Sequence, residues 1–446
     1  MDGINYGPSP TTLWYPSPGA SPNSNPPTWA NVLGKPVVSV SPYGISIGSP
    51  GVTQPNNGAD FGPDTTGTKT YGIQEAINSI SNDTGPVSAG GGGIVELVGG
   101  VYKPSVPIVV YSGVTLQGAQ RFPRSVVPSA YTLTGIPSIQ PTGTGDTIQT
   151  TQYPEGGSDN VTNVSITIKG LEVYGTGSSG SSAIHLSNTD HCAVVGCDVK
   201  SCYDGITFDV ISPSGSGEGG YSSIEDNSVA TYSNYGIYDF FDTQMRIINN
   251  QFDAPNSGAV AAIVSSRSNT VVISGNVIQG VIETNMIGIW LDEIVSDPTS
   301  NTIVSGNIVV GGAGTGTVGI EISGASQTLI TIEGNHINAV TTPISYPSGM
   351  TKTRITGNNG YNPQAFAIAT PAVPASGTEL VNPFPFPISI YALTAGTVSA
   401  VKITDVFGNP QTFNGALNVG KLYDLGPQDG ITLTYSAAPT WAWYGT

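Results

Sequence analysis

Charge is scarce in this chain: only 10% of its 446 residues are Asp, Glu, Lys or Arg. Lys and Arg together number 13 against 30 acids, giving a formal charge of −17 and a pI near 4.3. A nucleic-acid partner is therefore not expected, because such binding needs surplus cations to neutralise phosphates. Neutral or decorated glycans stay open. Long apolar runs are missing as well. None reaches the roughly 18 residues of a membrane-spanning helix, so no membrane span is expected. The start, Met1-Asp2-Gly3-Ile4-Asn5-Tyr6, lacks the basic residues and apolar core of a secretory signal. With a composition of extracellular type, that start suggests release by another route, such as assembly into a virus particle followed by lysis. A signal already removed is the alternative. Cysteine is limited to Cys192, Cys197 and Cys202. Their five-residue spacing fits neither a redox pair nor a usual zinc pattern, and an odd number leaves one thiol without an intrachain partner. We read them as small buried residues, and expect no metal and no cofactor.

What is abundant is Gly (59) and Pro (34), with much Ser, Thr and Asn. Such material makes short strands and turns rather than long helices. The length exceeds what a single core usually supports, so the chain is either several domains or one elongated repeat. A repeat is present. A short apolar strand leading to Gly-Asn or its equivalent recurs with its last residue at Leu171, Cys197, Asn227, Asn250, Asn276, Asn307, Asn335 and Asn358, in steps of 26, 30, 23, 26, 31, 28 and 23. A second column keeps phase with it: Ala183-Ile184, Gly205-Ile206, Gly236-Ile237, Ala262-Ile263, Gly288-Ile289, Gly319-Ile320 and Pro343-Ile344. Steps of that size are the coils of a solenoid, whose short strands pair with the coils above and below at about 4.8 Å, so that like residues form ladders. Small Gly or Ala before an inward Ile permits the bend between strands, and Asn at a corner tolerates left-handed backbone while its amide bonds along the stack. Both roles are structural.

Upstream, Asn57-Gly58-Ala59-Asp60-Phe61-Gly62-Pro63-Asp64, then Tyr71 to Ile80, then Gly91-Gly92-Gly93-Ile94-Val95-Glu96-Leu97 and Gly113 to Ala119, resemble the N-terminal part of pectate-lyase-like proteins. Ile73, Ala76, Ile77 and Ile80 fall on one helical face. The resemblance implies an all-β fold, a right-handed parallel β-helix over residues 35–360, with this short helix covering its open end. It says little about activity, since lyases, hydrolases, epimerases, viral tailspikes and proteins without catalysis share the architecture. Residues 1–34, with seven prolines, read as an extended arm able to dock on a partner, or as a disordered leader. Residues 361–379 read as a linker. From 380 to 446, alternating strands near 388–393, 398–403, 411–413, 422–425 and 431–435, separated by turn signals, read as a small β-sandwich. The aromatic end Trp441-Ala442-Trp443-Tyr444 is best suited to closing its core.

Alternation along the second column separates inward from outward residues. With the isoleucines inward, His185, Thr207, Tyr238, Trp290 and Glu321 face out, as do Ser187, Asp209, Phe240, Asp292 and Ser323. Sugar rings stack their C–H faces on Trp and Tyr while carboxylates bond the hydroxyls, so this face is the candidate glycan site, with Trp290, Tyr238, Phe240 and His185 binding. A solvated outer wall with chance aromatics is the plain alternative. Glycoside hydrolysis needs two carboxyls roughly 5 to 9.5 Å apart. Asp292 and Glu321 on neighbouring coils are the first candidates, Glu321 as acid and Asp292 as base or nucleophile. Asp209 is the third, with Asp239, Asp242 and Glu293 in reserve. Polygalacturonases of this fold carry Asn-Thr-Asp, Asp-Asp, Gly-His-Gly and Arg-Ile-Lys elements. Only the first occurs here, at Asn188-Thr189-Asp190. No arginine, Arg246 and Arg267 included, sits in a recognisable lyase context. The preferred reading is a virion receptor-binding protein resembling tailspikes and tail fibres, with or without depolymerase activity. The resemblance implies a homotrimer attached through the N-terminal arm. A free polysaccharide hydrolase or lyase, and a non-catalytic surface or filament protein, are the other two readings.

Overall fold

The computed structural model describes residues 37–42, 60–65, 67–81, 92–118, 135–150, 163–209, 219–240, 242–292, 301–312, 314–324, 326–347, 350, 352–361, 368 and 370–445. The Pro-rich residues 1–34 and Asn57 to Ala59 lie outside them. The repeat winds into a parallel β-helix. Successive coils contribute strands to an eleven-stranded sheet running from Val37–Val40 to Arg354–Thr356, and to two nine-stranded sheets. One of these runs from Gly100–Tyr102 to His336–Asn338, the other from Ile108–Val110 to Thr342–Ser345. A small fourth sheet joins Asn163–Val164, Thr189–Asp190, Gly219–Gly220 and Asp242–Thr243.

Register follows the columns. Ile184, Ile206, Ile237, Ile263, Ile289, Ile320 and Ile344 are successive partners, and all are buried. A second interior row stacks Ile168, Val194, Ile224, Ile247, Ile273, Val304, Ile332 and Ile355. The three cysteines are buried and unbridged, as small core residues should be.

One local expectation needs correction, and a second gains its physical reason. The corner asparagines are not the left-handed residues. Positive φ falls one position earlier, at Asp226 (58°), Asn249 (57°), Gly275 (66°), Gly306 (64°), Gly334 (64°) and Gly357 (63°). That leaves each corner Asn free to turn its amide inward, where Asn227, Asn250, Asn276, Asn307, Asn335 and Asn358 are buried in one hydrogen-bonded ladder. Nor do the glycines of the second column supply positive φ. A Cβ on Gly205 would stand 2.3 Å from the Gly236 carbonyl oxygen and 2.8 Å from Val229, and one on Gly288 would stand 2.5 Å from the Gly319 carbonyl oxygen. Close approach, not left-handed backbone, requires the small residue.

Both ends of the helix are covered. Helix Ile73–Ser81 buries Ile73, Ala76, Ile77 and Ile80, the expected face, against the first coils. The Thr70 hydroxyl caps it by accepting the Gln74 N–H at 3.0 Å. At the other end two antiparallel sheets, of four and three strands, enclose a core that includes Ile388, Leu433, Trp441 and Trp443. Two strands were not anticipated: Glu379–Val381, and Thr440–Gly445, which carries the core-filling tryptophans. Tyr346 packs against both cores, and the Gln428 amide donates to the Met350 carbonyl at 3.3 Å. The carbonyls of Pro371 and Pro374 accept from Trp441 Nε1 (2.8 Å) and the Tyr435 hydroxyl (2.6 Å), so the segment before the sandwich lies against it.

Candidate functional site

The outer face of the sheet running from Ile108–Val110 to Thr342–Ser345 gathers the residues singled out from sequence. Its middle is apolar. Ala261, Val264 and Ile287 form a cluster outside the main core, with Tyr235, Tyr238, Trp290 and Val318 packed on it. Tyr235 stacks on Tyr238 with centroids 5.1 Å apart, Tyr238 stacks on Phe240 at 5.9 Å, and the Arg267 guanidinium lies 5.6 Å from the Phe240 centroid. Aromatic planes so arranged offer a sugar chain apolar surface with polar edges.

Tyr235 was missed because strict alternation from Ile237 turns it inward. Gly236 breaks the pleat. Its missing Cβ points into the core, 2.8 Å from the Phe252 ring, so it and Ile237 both face in and Tyr235 stays outside. The same step places Asp204, the partner of Ser182, on the outer side.

One polar group lies on the strands Ser182–Ser187 and Asp204–Asp209. His185 sits between two carboxylates, with Nδ1 2.8 Å from Asp146 and Nε2 2.9 Å from Asp209. Burial pushes the imidazole pKa down, but the hydrogen bonds and charges of Asp146 and Asp209 outweigh it and raise it to about 10. His185 is thus a fixed cation with both nitrogens engaged, and cannot serve as a base near neutrality. The Asp209 Oδ1 is buried without a hydrogen-bond partner. Nearby, burial raises Asp204 to about 6, with the Asn234 amide and the Tyr235 N–H offsetting part of the shift. Asp146 was also missed. Aligning Asp146-Thr147-Ile148 with Ser182-Ala183-Ile184 would have found it, since Ile148 and Ile184 are register partners.

The other polar group begins three coils further on. Trp290 and Glu321 are register partners, and Trp290 Nε1 donates to the Ser323 hydroxyl at 3.1 Å. Asp292 accepts from the hydroxyls of Ser323 (3.0 Å) and Ser266 (3.1 Å). One strand step and two residues separate Asp292 from Glu321, about 8 Å between backbones. Burial, and then the charge of Asp292, raise the Glu321 pKa. Asp209 belongs with His185 instead. It is three strand steps from Asp292 through Phe240 and Ser266, about 14 Å, too far to share one bond-cleaving step with Glu321.

Some residues assigned to this face are covered on it, and others lie elsewhere. Ser187 and Thr207 are buried rather than exposed, because Ser187 is tied to Thr150 and His185, and Thr207 to Ser182. Asp239 points into the core, in register with Phe208 and Ser265, and so is not available on the face. Asp242 belongs to the fourth sheet, and Glu293 lies outside the described residues. Asn188-Thr189-Asp190 also runs into that sheet, with Asp190 paired to His191 at 2.8 Å. Among the described residues no group of three or more His, Cys, Asp or Glu is placed to hold a metal ion, and no helix is long and apolar enough to cross a membrane.

Fold and face together define a parallel β-helix protein with an aromatic and acidic outer sheet. No family model matches the chain, and no curated protein does. Among solved structures, it is similar to ORF18 of Geobacillus virus E2, at 13% identity and a TM-score of 0.47 over 90% of this chain and 78% of that one. It is also similar to DFA-IIIase from Arthrobacter chlorophenolicus A6 (12%, TM-score 0.40, 64% and 78%). A third is the tailspike gp49 of Acinetobacter baumannii bacteriophage Fri1, a capsular polysaccharide depolymerase (13%, TM-score 0.30, 80% and 82%).

Proposed function

We propose that this chain is a glycan-recognising receptor-binding protein of a virion, a tailspike-like shaft whose outer sheet lies along a surface polysaccharide. The observation that carries the reading is the continuous patch of Tyr235, Tyr238, Phe240 and Trp290, with carboxylates on either side. Isolated exposed aromatics are ordinary on a protein surface, whereas a contiguous row edged by hydroxyl acceptors is the pattern of a sugar groove. Attachment through residues 1–34 and assembly as a homotrimer belong to the same proposal. A solution mass of one chain at every concentration would remove the trimer.

Cleavage is favoured by one specific feature, the Asp292–Glu321 pair. Glycoside hydrolysis divides the work between a carboxyl whose surroundings raise its pKa and a second carboxyl near it. Glu321 has the raised pKa and takes the acid role, with Asp292 as base or nucleophile. The test is a glycan array followed by product analysis on the glycans that bind. Trp290→Ala is expected to weaken binding by about 1 to 3 kcal/mol, as loss of an aromatic anchor does elsewhere. Asp292→Asn and Glu321→Gln are expected to keep measurable binding and lose product. If all three variants bind and cut as the parent does, the face is only the outer wall of the shaft.

A further inference from the structure

The sign of the face narrows the kind of sugar it accepts, given the glycan reading above. Asp146, Asp204 and Asp209 are grouped at one part of it, and Asp292 and Glu321 at another. The cations beside them, among the described residues, are His185 and Arg267. Both His185 nitrogens are taken by Asp146 and Asp209, and the Arg267 guanidinium rests over Phe240. A polyuronate laid along this row would bring its own carboxylates against these acids. Glu321 is different from the other acids. It is half-buried, has no described cation beside it, and lies in register with Trp290. A carboxylate next to an indole face suits a ligand ammonium, which can bond the one and rest over the other.

We infer that the sugar residue seated at Trp290 and Glu321 carries a free amino group. The recognition is a charge-assisted N–H to carboxylate bond, which an N-acetylated sugar cannot make and an acidic sugar opposes. Titration calorimetry with glucosamine oligosaccharides, their N-acetylated counterparts and oligogalacturonate tests it, because the first two share a backbone and differ in charge. The amino oligomer is expected to bind about five- to tenfold tighter than the acetylated one at low salt, with the gap narrowing as salt screens the pair. Glu321→Gln should close the gap. Glu333→Gln, an exposed acid on another sheet, should leave it unchanged. Equal loss in the two variants would mean general attraction of a polycation to an acidic protein, and would overturn the inference. Equal binding of both oligomers, or preferred binding of oligogalacturonate, would overturn it too while leaving glycan recognition intact. Absence of binding across these probes and the glycan array together would remove the glycan reading itself.

Discussion

Asn276→Leu is expected to destabilise the shaft by about 4 kcal/mol, read as a lowered urea midpoint. The side chain is fully buried and works in two directions. Its Oδ1 accepts the Asn250 backbone N–H (2.9 Å) and the Asn250 Nδ2 (3.0 Å). Its Nδ2 donates to the Ile247 carbonyl (2.9 Å) and to Asn307 Oδ1 (2.9 Å). Leucine fills the space but leaves two buried donors and a carbonyl without partners, and each unmet buried group costs about 1 to 3 kcal/mol. In a solenoid the loss falls on the coils adjoining the substitution, where neighbouring interfaces supply most of the stability. Leu171 and Cys197 occupy the same corner in earlier coils without harm because they bring no amide needing an acceptor. The Cys197 N–H is the first donor, 2.9 Å from Asn227 Oδ1. Gln279, exposed on the strand Val277–Val281 of the same coil, is the control. Its replacement by Ala should change the stability by less than about 0.5 kcal/mol. A midpoint for Asn276→Leu as close to the parent as that of the control would mean that the ladder does not hold the coils together.

The fold was legible because a solenoid writes its contacts into its period. Residues one coil apart in sequence are neighbours in space, so two columns of apolar residues were enough to give register from Ile184 to Ile344. The capping helix was legible from a single helical face, Ile73, Ala76, Ile77 and Ile80. What was lost came from local breaks in a periodic rule. Alternation assumes a regular pleat, and Gly236 interrupts it by facing inward next to Ile237, which hid Tyr235 and misjudged the width of the aromatic patch. Exposure was overestimated for Ser187 and Thr207, since position on an outer face does not reveal that a neighbouring hydroxyl covers it. The His185 bridge was illegible because Asp146 and Asp209 reach it from two different coils, one of them upstream of where the repeat is easily seen. Ion pairing across coils depends on side-chain direction, which periodicity does not carry.

The second large effect concerns a carboxyl that the face does not use. Asp239 lies on the strand Tyr235–Phe240, between the aromatic residues Tyr238 and Phe240, but points into the core. Register sets it between Phe208 and Ser265, and Ser265 in turn beside Leu291. The Ser265 hydroxyl donates to Oδ2 at 3.0 Å, whereas Oδ1 is buried without a partner. Burial raises its pKa to about 7, and the hydroxyls of Ser268 and Ser265 offset only part of that. The sign follows from the proton. Below the unfolded value near 4 the group is neutral in both states and costs nothing. Between there and about 7 the unfolded chain ionises while the folded one stays protonated, so stability declines as pH rises, and above about 7 the full penalty is present. A shift of that size corresponds to about 4 kcal/mol. Asp204, Glu321 and Asp198, also raised by burial, add decline of the same sign, so the informative quantity is the difference from a variant. Asp239→Asn should match the parent within about 1 kcal/mol at pH 4 and exceed it by up to about 4 kcal/mol at pH 8, compared by urea midpoints at both values. A gap that stays constant across that range would show that Asp239 is ionised throughout, held by partners stronger than two serine hydroxyls. A gap that opens with pH would place an ionisation near neutrality directly behind the strand that carries Tyr235, Tyr238 and Phe240.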